Sequence, residues 1–182
     1  DMPLIEQKAL EEARGKVLDV GCAAGSHSLY LQEKGLEVDA IDISKKATEV
    51  AAERGLKNTY HTSLLDWDKE KYDTIILLMN GTGIFERFER VPVYLNHLKK
   101  LLKPGGQILI DSSDIAYMYD EEELQALYSF KQYYGELEFT IRYKDLENEE
   151  FPWLYLDPTT FKKIAEIHGF KFEIIHLAKL SL

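Results

Sequence analysis

Short apolar runs alternate with segments of helical spacing along the first two thirds of the chain. The apolar runs predict strands at residues 16–20, 36–41, 58–62, 72–79 and 107–111. The intervening segments carry apolar residues three or four positions apart and predict helices at residues 26–34, 45–54 and 91–102. This alternation is typical of a mostly parallel sheet covered by helices, because each helix carries the chain back to the start of the next parallel strand.

The last third of the chain has a different pattern. Apolar and polar residues alternate over part of it, which predicts an antiparallel β addition at about 135–156 with one half-exposed face. The predicted elements are a helix at 121–127, strands at 135–143 and 153–156, and a helix at 158–168. Residues 170–182 follow and contain no Gly, Pro, Asn or Asp that would favour a tight turn.

Composition and charge restrict the classes of protein to which this chain can belong. The 182 residues include 45% hydrophobic and 30% charged residues, and a length of this order predicts one domain spanning residues 1–182. A single cysteine permits no internal disulfide, so we expect a cytoplasmic protein. No apolar run reaches the ~20 residues of a membrane span, and residues 1–14 predict a polar helical segment. The net charge of −10 disfavours a nucleic-acid partner.

Residues 17–25 run from a strand through a turn of small residues into a helix. Gly21 and Gly25 allow the backbone to turn tightly and approach a ligand, and the helix that follows presents free N–H groups to an anion. Asp42 lies 21 residues after Gly21, at the end of the second predicted strand, where a carboxylate suits ribose hydroxyls. A dinucleotide site would require further glycines where Ala23 and Ser26 stand.

Four segments, in order, resemble class I S-adenosylmethionine-dependent methyltransferases. They are the loop at 17–25, the acid Asp42, the aromatic-Asp-apolar opening of the fourth strand at 72–76, and the turn at 102–107. Ala23 replaces the middle glycine of that family's loop. Two further segments, 78–83 and 111–115, resemble a bacterial subgroup of the family.

The resemblance implies a three-layer αβα sandwich with a seven-stranded sheet in the order 3-2-1-4-5-7-6, the last strand being antiparallel. It also implies S-adenosylmethionine as cofactor and S-adenosylhomocysteine as product. Asp19 is expected to orient the loop or bind the methionine amino group, and Ser63 to lie near the adenine. The implied cofactor-binding residues are Asp19, Gly21, Cys22, Ala23, Gly25, Asp42, Ile43, Ser63, Leu64, Asn80 and Gly81. We expect no metal site, since the histidines lack partners at ligand spacing.

Three residues are candidate acid–base groups: His27, Asp111 and Asp114. An oxygen or nitrogen acceptor needs a base, whereas a sulfur acceptor needs none. His27 lies in the first turn of the helix after the glycine loop, and its alternative role is that of an exposed helix residue or of a histidine hydrogen-bonded to the backbone. Asp111 and Asp114 follow the fifth strand, where open α/β sheets bind ligands, and their alternative role is a solvated turn.

Residues 112–156 are expected to form the substrate or lid region. The density of aromatic residues there suggests either packing of the β addition or a wall over an acceptor pocket. These residues are Tyr117, Tyr119, Tyr133, Tyr134, Tyr143, Trp153 and Tyr155.

The predicted activity is transfer of a methyl group from S-adenosylmethionine to a small-molecule acceptor. Two alternatives stay open: a non-catalytic module that binds the cofactor for regulation or as a partner subunit, and an aminopropyl-type transferase on the same fold.

Overall fold

The computed structural model describes residues 2–140, 142–143, 146–147 and 150–177. These residues cluster into two compact units. The first comprises the described residues of Asp1–Met79, Asn96–Asp111 and Glu173–Leu182, and the second those of Asn80–Leu95 and Ser112–Phe172.

The first unit is built on a five-stranded sheet in which every neighbouring pair is parallel. Its order, β3-β2-β1-β4-β5, confirms the predicted order of the first five strands. β1 is its central strand, and the apolar residues of β1 and of the adjacent β4 are almost fully buried. The strands are β1 (Val17–Val20), β2 (Val38–Asp42), β3 (Thr59–His61), β4 (Tyr72–Leu77) and β5 (Leu102–Ile110).

Helices follow β1 and β2 and precede β5, as the alternating pattern predicts, and a further helix precedes β1. α1 packs on β5, α2 on β2, and α3 on both β2 and β3. The helices are α1 (Leu4–Glu12), α2 (Ser26–Glu33), α3 (Lys45–Glu53) and α4 (Val91–Leu101). Ser44 is the N-cap of α3, as its position predicts, because its hydroxyl accepts a hydrogen bond of 3.3 Å from the N–H of Ala47.

β5 begins earlier than its sequence indicates. Leu102 already pairs with Tyr72, and the regular register resumes only where Gln107 pairs with Thr74. Pro104 lacks the N–H that a strand ladder needs. The residues around it therefore form an irregularity within the strand.

The described residues do not form the predicted sixth and seventh strands of this sheet. Residues 170–177 contain no strand, and residues 178–182, on which the prediction also falls, lie outside the described residues. A hairpin needs a turn whose residues tolerate unusual backbone angles. Because 170–182 has no Gly, Asn or Asp, the finding over 170–177 agrees with the local sequence.

Asp73, near the start of β4, forms hydrogen bonds with residues at the starts of β1 and β5. Its Oδ2 accepts hydrogen bonds from the Lys16 N–H at 2.7 Å and from the Lys103 ammonium at 2.8 Å. Lys16 precedes β1, and Lys103 lies at the start of β5. This shared acceptor gives a structural reason for the acid in the 72–76 segment.

Replacing Asp73 should make the free energy of unfolding depend less steeply on pH under acidic conditions. The hydrogen bond from Lys103 lowers the pKa of the Asp73 carboxyl below its ordinary value, so its stabilisation is complete above the unfolded-state pKa and is lost as the pH falls through the folded-state pKa. Below about pH 4 the unfolding free energy of the native chain should therefore fall more steeply than that of Asp73→Asn. Urea unfolding across this range measures both slopes. Asp68→Asn, at an exposed position, controls for the lost charge, and equal slopes for the native chain and Asp73→Asn would contradict the prediction.

The second unit contains an antiparallel pair of strands, which confirms the β addition predicted at 135–156. β6 (Glu136–Phe139) pairs with β9 (Phe151–Leu154), and Glu136 lies opposite Leu154. Two short strands, β7 (Arg142–Tyr143) and β8 (Leu146–Glu147), pair separately. The predicted strand at 135–143 is therefore divided between two ladders.

Two helices accompany these strands, α5 (Glu121–Ser129) and α6 (Pro158–Ile167). Asp120 and Glu123 form a capping box at the start of α5, each side chain accepting a hydrogen bond from the other residue's N–H. Aromatic rings form much of the core, with Phe85 5.4 Å from Tyr94 between ring centroids. No helix in the described part of the chain combines the length and the apolar character needed to span a bilayer.

Candidate active site

The glycine loop that follows β1 adopts left-handed backbone angles at three positions. The φ angles are +73° at Gly21, +46° at Ala23 and +78° at Gly25. At Gly25 a Cβ atom would also lie 3.1 Å from the Cβ of Ala51 and 3.3 Å from Leu56, both in the α3 region. Gly25 thus meets two requirements, a positive φ and close approach to neighbouring side chains.

Asp42, at the end of β2, is joined to this loop. Its Oδ2 accepts a hydrogen bond of 2.9 Å from the Ala23 N–H, and its Oδ1 accepts one of 2.7 Å from the Ser44 N–H. The predicted pairing of glycine loop and acid is therefore present as a direct contact. A carboxylate has about four acceptor sites, so two remain for other donors.

Asp19 lies inside the fold at the end of β1. Its side chain is buried, and its Oδ2 accepts a hydrogen bond of 2.6 Å from the Ser28 hydroxyl. Burial raises the pKa of the Asp19 carboxyl above its ordinary value, and the bond from Ser28 opposes this rise. These contacts connect β1 to α2 beneath the loop, while a contact with the cofactor stays a prediction.

Cys22 also turns its side chain inward. It packs with Ala40, Ala51 and Leu56, and burial raises the pKa of its thiol to about 12. The thiol is therefore a poor nucleophile at neutral pH. Because the side chain packs inside the fold, any contact of Cys22 with the cofactor would be made by its backbone.

His27 is held by a partner that the sequence did not indicate. Its Nε2 lies 2.7 Å from Oε2 of Glu6 in α1, and both side chains are only 12% exposed. This contact argues against the exposed-residue alternative, and it engages one of the two ring nitrogens that could serve as a base. No local pattern links the two residues, which are 21 positions apart in different helices.

Two predicted cofactor-binding residues, Ser63 and Leu64, follow β3, and so does Asp66, which the sequence pattern did not indicate. The Ser63 hydroxyl donates a hydrogen bond of 2.6 Å to the Asp66 carboxylate, and Leu64 is buried. Asp66 is an exposed acid beside the predicted adenine position, three residues after Ser63. Ile43, after Asp42, is 77% exposed.

Asn80 and Gly81 belong to the second unit. Asn80 has a φ of +61°, its Oδ1 accepts a hydrogen bond of 3.2 Å from the Ser113 N–H, and its amide donates one of 3.4 Å to the Leu154 carbonyl. Gly81 is buried. Their predicted contact with the cofactor is not tested by these bonds.

The two candidate acids after β5 fall in different units. The N–H of Asp111, in the first, donates to the Leu77 carbonyl at 3.3 Å. The Oδ1 of Asp114, in the second, accepts hydrogen bonds from the Tyr134 hydroxyl at 2.8 Å and the Ala116 N–H at 3.0 Å. Asp114 is therefore an oriented carboxylate. Whether either acid is catalytic stays a prediction.

The aromatic residues of the second unit largely pack on one another. The Tyr133 ring stacks on Phe88 at 4.7 Å between centroids and lies 4.8 Å from Tyr134. Burial raises the pKa of both tyrosine hydroxyls, so they act as donors, Tyr133 to Asp157 at 2.7 Å and Tyr134 to Asp114. Packing thus accounts for part of the predicted set. The side chain of Tyr143 lies outside the described residues.

No cluster of three or more His, Cys, Asp or Glu side chains suited to a metal ion occurs among the described residues.

A parallel sheet of order 3-2-1-4-5 with a glycine loop and an acid at its carboxyl edge defines a Rossmann-like nucleotide-cofactor domain. Residues 3–176 match the family model described as a methyltransferase domain. The chain therefore belongs to the methyltransferase-domain family, and the expected membership of class I S-adenosylmethionine-dependent methyltransferases is confirmed.

Individual relatives agree with this assignment. A crystal structure of an S-adenosylmethionine-dependent methyltransferase from Bacteroides fragilis, in complex with S-adenosyl-L-homocysteine, is 45% identical with a TM-score of 0.89, over 98% of this chain and 74% of that one. Ubiquinone biosynthesis O-methyltransferase of Rickettsia conorii is 32% identical over 59% of this chain and 38% of its own length. Phosphoethanolamine N-methyltransferase 3 of Arabidopsis thaliana is 33% identical over 52% of this chain and 20% of its own length. The chain thus spans less than half the length of these two relatives.

Proposed function

We propose that this chain binds S-adenosylmethionine at the carboxyl edge of its five-stranded sheet and transfers the methyl group to a small-molecule acceptor. The observation that carries the proposal is the contact between Asp42 and the N–H of Ala23, which joins the ribose-binding acid to the glycine loop. The 45% identity to a methyltransferase crystallised with S-adenosyl-L-homocysteine supports the choice of cofactor.

The residues around Asp42 suit the parts of this cofactor. The two acceptor sites left on Asp42 match the two ribose hydroxyls. The exposed side chain of Ile43 offers an apolar surface for the adenine ring. The N–H groups of Ser26 and His27 enter no hydrogen bond with another described residue, so the start of α2 can receive the methionine carboxylate.

When bound, S-adenosylmethionine supplies an electrophilic methyl group on its sulfonium. The chain's own contribution is then to orient the cofactor and acceptor and to exclude water. If the acceptor atom needs deprotonation, Asp111, Asp114 and His27 are the candidate bases. His27 is the least available of the three, because its Nε2 already contacts Glu6.

The charge of the chain supports a small-molecule acceptor. The net charge of −10 repels polyanions such as nucleic acids. The relatives from Rickettsia conorii and Arabidopsis thaliana are an O- and an N-methyltransferase, so they do not indicate which atom of the acceptor is methylated.

Calorimetric titration with S-adenosylmethionine and S-adenosylhomocysteine, followed by transfer assays with radiolabelled cofactor and pooled metabolites, tests the proposal. We expect micromolar binding of both ligands and label in a small-molecule fraction. Binding without any transfer would support the non-catalytic module instead. Label found only on macromolecules would overturn the proposed acceptor class, and folded protein that binds neither ligand would overturn the proposal.

A further inference from the structure

Arg54 contacts the glycine loop, although it belongs to none of the four segments that resemble the methyltransferase family. It lies directly after α3 and is exposed, yet one nitrogen of its guanidinium group makes two hydrogen bonds to the loop region. That nitrogen donates to the carbonyl of Ala24 at 2.5 Å and lies 3.2 Å from the hydroxyl oxygen of Ser26.

Ala24 stands between two residues with left-handed backbone angles, Ala23 and Gly25. Such angles are costly for a residue with a side chain, and they persist only where the surroundings hold them. The N–H of Ala23 is held by Asp42, and the carbonyl of the following residue, Ala24, is held by Arg54. Consecutive residues of the loop are thus fixed through two different side chains.

We propose that Arg54 is a positioning residue for the cofactor loop. Its guanidinium group holds the Ala24 carbonyl and the Ser26 hydroxyl, and so keeps the N–H groups of the loop and of the first turn of α2 in the orientation that binding requires. This role rests on the proposed function, since it concerns the same cofactor site. It acts through the loop and needs no contact between Arg54 and the ligand.

The bonding pattern predicts which substitution restores the role. Both hydrogen bonds come from a single nitrogen, so a lysine ammonium placed there could make both. Alanine removes both bonds. We therefore expect Arg54→Lys to retain most of the function that Arg54→Ala loses.

Arg14 provides a matched control. It is also exposed, and its guanidinium group also bonds one side chain and one carbonyl, Gln107 at 2.7 Å and Gly105 at 3.3 Å. Neither of these residues belongs to the glycine loop. Arg14→Ala therefore removes the same chemistry and the same charge without releasing the loop.

The first measurement is the dissociation constant of S-adenosylhomocysteine by calorimetry. We expect Arg54→Ala to weaken binding by roughly 10-fold, about 1.4 kcal/mol, Arg54→Lys to recover most of that loss, and Arg14→Ala to stay within about 2-fold of the native chain. Native-like binding by Arg54→Ala, or an equal loss in Arg14→Ala, would overturn the inference.

The second measurement needs no ligand. The Gly25 N–H donates to the Cys22 carbonyl at 2.8 Å inside the loop, and its hydrogen exchange reports on loop order. Exchange at Gly25 should accelerate in Arg54→Ala and not in Arg14→Ala. If the native chain bound no S-adenosylhomocysteine, the proposed function would fail, whereas unchanged exchange in Arg54→Ala would overturn the role of Arg54.

Discussion

Asp42→Ala should weaken the binding of S-adenosylhomocysteine by at least roughly 10- to 100-fold, because losing even one hydrogen bond to a charged group costs about 1.5–3 kcal/mol. The carboxylate sits at the end of β2 with one bond to the loop and one to Ser44, and its remaining acceptor sites are those proposed for the ribose. Calorimetric titration of the native chain and the variant measures the ratio of dissociation constants.

Two effects contribute to this loss, and a cofactor analogue separates them. Asp42→Ala removes the proposed ribose contact and also releases the N–H of Ala23. An S-adenosylhomocysteine analogue without the ribose 2′-hydroxyl removes only the ligand's side of the contact. The native chain should prefer the complete ligand, and Asp42→Ala should bind both ligands about equally, which is the signature of direct coupling. A variant that retained the full preference would show that Asp42 acts through the loop alone.

The isosteric substitution Asp42→Asn is also expected to weaken the binding of S-adenosylhomocysteine. Both carboxylate oxygens of Asp42 accept hydrogen bonds from backbone N–H groups, those of Ala23 and Ser44. An asparagine has only one acceptor oxygen, so in either orientation its amide would face one of these N–H groups. The site therefore requires a carboxylate for structural reasons, before any ligand is considered.

The features predictable from the sequence are those encoded by short-range pattern. The alternation of buried runs with helical spacing predicted the five parallel strands, because burial on both faces makes most residues of β1 and β4 apolar. The glycine loop and Asp42 could be placed together because parallel strands bring their carboxyl ends to one edge. The Asp42–Ala23 contact follows from that topology.

The features that the sequence did not predict depend on long-range packing. The Glu6–His27 contact joins helices separated by a strand, and Arg54 reaches back 30 residues to Ala24. No short-range sequence pattern predicts either contact. The inward position of Cys22 was also not predicted, because a small residue in a turn can face either way, and only the packing of α3 decides it.

Gly25→Ala should have the largest effect on both stability and binding. At a φ of +78° an alanine costs roughly 1–2 kcal/mol in backbone strain. Its Cβ would also lie 3.1 Å from Ala51, closer than ordinary van der Waals contact. The loop must shift to relieve both, and we expect S-adenosylhomocysteine binding to fall by about 100-fold or more, since a shift of the loop disturbs several contacts together.

Two further variants test whether this loss arises at the loop. Gly35 also has a positive φ, +87°, but a Cβ there would meet no atom within 4 Å, so Gly35→Ala imposes strain alone. It should lower the unfolding free energy in urea and leave the dissociation constant unchanged. Ala51→Gly removes the nearest obstacle, so adding it to Gly25→Ala should recover part of the affinity. If the double variant bound no better than Gly25→Ala, backbone strain rather than the contact with α3 would explain why this position requires glycine.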